Sequence, residues 1–198
     1  MMLTREEGWK EVKLGRIFKS DMISDNRSEG QKIKESTYVC QLGRLDDFIP
    51  LMEVELKKYM GLDSRLVFVT DGAPWIRNWI NATYPRATQI LDFYHAVEHL
   101  GKLGDHIKSE RPKDWVKRYA DQLLKEGGNS VIRSLRKMPM KDSEAVQRKE
   151  QVIKYFELSA YRMNYPKYDK QGNSIGSGAI ESAHRTVIQK RLKLAGQR

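Results

Sequence analysis

Leu66-Val67-Phe68-Val69-Thr70-Asp71-Gly72 is the stretch whose reading decides the fold. An unbroken apolar run of this kind, without polar alternation, marks a strand covered on both faces, as in a parallel sheet under helices. Pro74 suits a first helical turn, so Pro74–Tyr84 reads as a short helix. Ala87–Phe93 (ATQILDF) repeats the buried-strand signal, and Tyr94–Ile107 reads as a second helix. Strand, helix, strand, helix places the chain in the α/β class.

On the amino-terminal side, Trp9–Phe18 (WKEVKLGRIF) alternates, with Val12 and Leu14 expected on one face and Glu11 and Lys13 on the other. Ser24–Gly30 is polar and turn-rich, and Glu35–Leu42 reads as a second strand, giving a hairpin with a long connection. Asp46–Met60 carries Phe48, Ile49, Met52, Leu56, Tyr59 and Met60 at helical spacing, and Gly61 ends it. On the carboxyl side, Arg111–Tyr165 holds only helical patterns, consistent with an all-helical insertion. Tyr165–Ser177 reads as a loop feeding a final helix. The expected organisation is therefore a partial α/β core over residues 1–100, a helical insertion over 101–165, and a loop and final helix over 166–198.

The chain of 198 residues has 36 Lys and Arg against 26 Asp and Glu, a net charge of +10. That surplus argues for an anionic partner, most simply nucleic acid. Cys40 is the single cysteine, which excludes an intramolecular disulfide or a cysteine metal cluster and suits a reducing, cytoplasmic setting. No apolar run is long enough to cross a bilayer, so no membrane partner is expected.

Four positions could carry chemistry. Asp71 closes a strand ahead of a glycine, where ligand sites of open α/β sheets gather; the alternative is an Asx turn or helix cap before Ala73-Pro74. Asp92 and His95 form a D-x-x-H pair at the end of the next strand, readable as a buried hydrogen-bonded pair or as metal ligands. Glu98 and His99 follow one turn later and read as helix-surface residues. Glu181 opens the most basic part of the chain: from Gly178 to Arg198 it is the one acid against Arg185, Lys190, Arg191, Lys193 and Arg198, so 5 − 1 gives +4. It could hold a metal near phosphodiesters, or interact with a helix dipole and pair with Arg185. His184 would share its helix face. Carboxylates close together can bind Mg²⁺ or Mn²⁺, and phosphodiester chemistry commonly uses two such ions. Asp71 and Glu181 supply two acids, and no third is found in the chain.

VFVTDGAPWI at Val67–Ile76, YPRATQILDFYHAVEHL at Tyr84–Leu100 and GSGAIESAHRTVIQKRLKLAGQR at Gly176–Arg198 closely resemble DDE transposases of bacterial insertion sequences. The resemblance is to the ISKra type, distant relatives of Mutator-like elements, and WKEVKLGRIF also fits. It implies an RNase H-like (ribonuclease H-like) core with a helical insertion. It also implies double-stranded DNA as partner, a possible homo-oligomer, and Mg²⁺ (or Mn²⁺) as cofactor. By resemblance Asp71 is the second catalytic acid and metal ligand, Glu181 the third, and Asp92-x-x-His95 the signature between them. Gly176, Ser177 and Gly178 match the turn before the catalytic glutamate, and Arg185, Lys190, Arg191 and Lys193 would contact phosphates. The family's first Asp, in an Asp-Gly pair before the W-x-E-V-K segment, has no counterpart here. The expectation is an incomplete core whose first strand is missing, a bacterial, nucleoid-associated fragment inactive alone. The alternatives are a DNA-binding remnant that regulates a full-length transposase, or a stand-alone RNase H-like nuclease.

Overall fold

A computed structural model describes residues 2–4, 8–20, 23–26, 30–33, 35–107, 112–140 and 142–176. These fall into two compact units, one within Met1–Ser64 and one within Arg65–Ser177. The chain is mixed α/β, predominantly helical, and its described strands form small two-stranded sheets.

In the first unit, β1 (Met2–Thr4) pairs antiparallel with β2 (Gly8–Lys10). The next strand, β3 (Val12–Ile17), runs antiparallel to β6 (Thr37–Leu42), from Val12 opposite Leu42 to Ile17 opposite Thr37. The polar connection that reads as a turn is itself a small hairpin, β4 (Ile23–Asn26) against β5 (Gly30–Ile33). Helix α1 (Leu45–Tyr59) buries Phe48, Met52 and Leu56.

The two faces of β3 divide as the alternation predicts, and the face that carries Lys13 is the one that packs. Lys13, Gly15 and Ile17 are the buried positions, while Val12 and Leu14 are half-buried. The reason is α1. A Cβ on Gly15 would lie 2.5 Å from Met52 Sδ, so the bare glycine is what lets the helix seat its methionine on that face. Lys13 shares the face because its stem packs while its ammonium donates to Gly43 O at 2.7 Å and reaches Glu11 at 3.2 Å. Alternation alone does not say which face packs where a long cation can leave by the edge.

The second unit opens with β7 (Val67–Thr70), followed by α2 (Pro74–Thr83), β8 (Thr88–Leu91) and α3 (Phe93–Gly104). The two strands are parallel, from Val67 opposite Thr88 to Thr70 opposite Leu91. Helices α4 (Pro112–Glu126), α5 (Gly128–Lys137), α6 (Ser143–Ser159) and α7 (Tyr165–Lys170) follow, with a 3-10 turn at Ala160–Arg162. Helix α7 falls where the sequence reads as loop. Asn164 caps it through Lys167 N, and Pro166 sits in its first turn.

Ile90 and Leu91 of β8 are fully buried in a core with Leu100, Leu123, Leu135 and Phe156. By contrast β7, read as covered on both faces, is only half-buried along its length. Among the described residues it pairs with β8 alone. Phe68 nevertheless finds aromatic company in Trp79 and Tyr84, at 5.8 and 5.5 Å between ring centroids.

The outer edge of β8 is closed by side chains rather than by a described strand. Thr88 N and Asp92 N reach the carbonyls of Leu66 and Thr70, so the carbonyls of Gln89 and Leu91 face away. Tyr165 donates its hydroxyl to Leu91 O at 3.0 Å; Tyr168 Oη lies 3.4 Å from Gln89 O and 3.0 Å from Tyr161 O. Burial pushes both phenol pKa values upward, so these hydroxyls stay donors at any ordinary pH.

Candidate functional site

The carboxyl ends of β7 and β8 bring Asp71 beside Asp92 and His95. Asp71 follows β7 directly and is exposed. Its Oδ1 accepts from Ala73 N at 2.9 Å, the Asx turn that the sequence leaves open as an alternative. Gly72 completes the turn with φ +89, a conformation only glycine adopts without strain.

Asp92, at the end of β8, is 3% exposed. Its Oδ1 accepts from Tyr94 N at 2.8 Å and His95 N at 3.4 Å, capping α3. The D-x-x-H spacing therefore serves at least one backbone purpose: the third residue after a cap supplies an N–H the cap can take. The imidazole of His95 faces Glu98, with Nδ1 3.5 Å from Oε2. Glu98 also holds Lys102 at 3.0 Å, and that hydrogen bond lowers its carboxyl pKa.

His99 departs from its surface reading. It stacks on Tyr155 of α6, with centroids 3.8 Å apart and planes inclined by 16°, and meets His95 edge-on at 5.3 Å. Burial, helped by the charges of His95 and Lys102, drives its pKa down to about 4. The folded chain thus refuses a proton that the unfolded chain accepts near pH 6.5. Its contribution to stability is complete above that pH and is lost as the pH falls toward 4. After discounting for partial exposure, about 1 kcal/mol should disappear between neutral pH and pH 4.5. Urea midpoints at the two pH values, compared between the native chain and His99→Gln, test this. The variant should lose distinctly less stability; an equal loss in both would refute the assignment.

The sequence marks neither His99 nor Tyr155 as a site residue. Their stack joins α3 to α6 across a long stretch of chain, and no local pattern carries that information. Tyr155 also donates its hydroxyl to Asp71 O at 3.3 Å, a bond between residues 84 apart in the chain. Its pKa is pushed up to about 12 by burial.

The chain returns to this place after α7. Phe93 N donates to Ile175 O at 2.9 Å, which ties residue 175 to the start of α3. A Cβ on Gly176 would lie 2.6 Å from the Tyr94 ring, so only glycine passes at this distance. Glu181 follows five residues later in the sequence. It lies outside the described residues, as do Ser177, Gly178, His184, Arg185, Lys190, Arg191 and Lys193.

Asp71 offers an exposed, hard oxygen donor of the kind Mg²⁺ and Mn²⁺ take, with one oxygen engaged in the Asx turn. Among the described residues, no group of three or more His, Cys, Asp or Glu side chains could hold a metal ion. Asp71 could serve as one carboxylate ligand of such an ion, with waters among the others. Also among them, no helix is long and apolar enough to cross a membrane. Comparison with protein-family models, curated proteins and solved structures finds no match to this chain.

Proposed function

We propose that the chain belongs to the catalytic region of a DDE transposase of the ISKra type, with an RNase H-like core, that binds DNA and places Asp71 and Glu181 on Mg²⁺ or Mn²⁺. The observation that carries this reading is the position of Asp71: an exposed carboxylate at the carboxyl end of a parallel strand, beside Asp92 and His95 at the end of the next. Open α/β sheets bind ligands at that end. The tie between Phe93 and Ile175 supports it further, because it brings the chain leading toward Glu181 to the same strand ends.

In this role the two carboxylates are ligands to ions that activate the attacking hydroxyl and stabilise the leaving oxygen of a phosphodiester. Arg185, Lys190, Arg191 and Lys193 pair with phosphates. Through these four cations the chain binds duplex DNA. Binding titrations at several salt concentrations test the reading. The logarithm of the binding constant should fall linearly with the logarithm of salt concentration. Replacing all four cations by alanine should lower that slope by roughly 3 to 4, about 0.9 for each phosphate left without its cation. A chain that does not bind DNA at low salt, or a slope the substitutions leave unchanged, would overturn it.

A further inference from the structure

We infer that Tyr155 is a positioning residue for Asp71, reaching out of the helical region to fix the turn that presents the carboxylate. The inference rests on the reading of Asp71 as a metal ligand, and three observations carry it. The Tyr155 hydroxyl donates to the Asp71 carbonyl at 3.3 Å, so a side chain from α6 holds the backbone of the strand end. The ring that bears this hydroxyl is held by its parallel stack on His99. Gly72 makes the approach possible: a Cβ there would lie 2.8 Å from Tyr155 Oη and 2.7 Å from Leu91 Cδ1.

These bonds act on one short turn from two sides. Inside it, Asp71 Oδ1 is tied to Ala73 N, which couples the orientation of the carboxylate to the backbone of residues 71–73. Outside it, Tyr155 anchors that backbone through Asp71 O. An exposed aspartate on an otherwise free loop would sample many orientations and lose entropy on taking a metal. One whose backbone and side chain are both tied arrives already ordered. Part of the order at this strand end therefore comes from a helix far along the chain.

Tyr155→Phe removes the hydroxyl and keeps the stack, which makes it the decisive variant; Tyr155→Leu removes both. Amide hydrogen exchange on the ¹⁵N-labelled full chain reads the turn at Ala73 N–H. In Tyr155→Phe that amide should exchange roughly 3- to 10-fold faster, as for the loss of one hydrogen bond, while core amides of β8 and α6 keep their rates. Manganese broadening of the Gly72 and Ala73 amides reads the carboxylate, and its midpoint concentration should rise several-fold in the same variant. Unchanged Ala73 exchange in Tyr155→Phe, or acceleration shared by every core amide, would overturn the inference. So would faster exchange with an unmoved manganese midpoint, since the bond would then order the turn without serving the ligand. If the native chain shows no broadening, or Asp71→Asn retains it, the metal reading fails instead, and the exchange data still decide whether Tyr155 holds the turn.

Discussion

Gly127→Ala is expected to destabilise the second unit by roughly 2–4 kcal/mol, lowering its melting temperature by about 10–20 °C. Two independent penalties meet at this position. Gly127 joins α4 to α5 with φ +79 and ψ 177, a region of backbone space that is essentially closed to residues with a side chain. A Cβ there would also sit 2.9 Å from Met163 O. That neighbour is backbone, and it cannot swing aside: the same carbonyl accepts from Gly128 N at 3.0 Å. Relief would have to move the whole junction of the 3-10 turn and α7 against α5. Gly172 serves as the control. It also has positive φ, at +69, but a Cβ there would meet no described atom within 4 Å. Gly172→Ala should therefore cost only its backbone strain, about 1 kcal/mol. Thermal melts of the two variants side by side check both figures, and equal losses would show that the clash with Met163 does not matter.

Arg162→Met is expected to act in the opposite direction and stabilise the chain by roughly 1–3 kcal/mol. Arg162 is 1% exposed. One nitrogen, Nη2, donates to Ser159 Oγ at 3.1 Å, and the guanidinium lies 5.6 Å from the centre of the Tyr161 ring. Among the described residues, its Nε and Nη1 have no hydrogen-bond partner. A buried cation with unpaired donors carries the desolvation penalty of its charge with little in return. Methionine keeps much of the stem's volume and lacks the charge, so the packing of the 3-10 turn survives while the penalty goes. The measurement is the denaturant midpoint of both chains at matched slope. A fall in the variant would show that the guanidinium is compensated and that its removal opens a cavity instead.

The elements of the second unit are largely legible in the sequence because each carries its own punctuation. Leu66–Thr70 and Ala87–Phe93 read as strands, and Pro74 opens its helix within the first turn, as expected. What the sequence hides is anything decided at a distance. The alternation of β3 does not say which face packs until Met52 is seen to need the bare side of Gly15. Ser24–Gly30 has turn composition, yet a polar segment closes into a hairpin as readily as an apolar one when its backbone groups pair across the strands. Tyr165–Lys170 passes for loop because Asn, Pro and Lys are common there, although Asn164 and Pro166 are also a helix start. At the candidate site the division is similar. Asp71, Asp92 and His95 can be marked from strand ends and spacing, whereas Tyr155 and His99 acquire their roles only by meeting each other.

The tyrosine closure of β8 carries a consequence for how the polypeptide emerges from the ribosome. Leu91 O waits for a hydroxyl that lies 74 residues downstream. At about 5–20 residues per second, that interval is roughly 4–15 s of synthesis during which β8 exists without its final partner. The nascent strand must spend those seconds with that edge open to any extended segment nearby. Pausing upstream of Tyr165 would lengthen this window, and fast translation through α4 to α6 would shorten it.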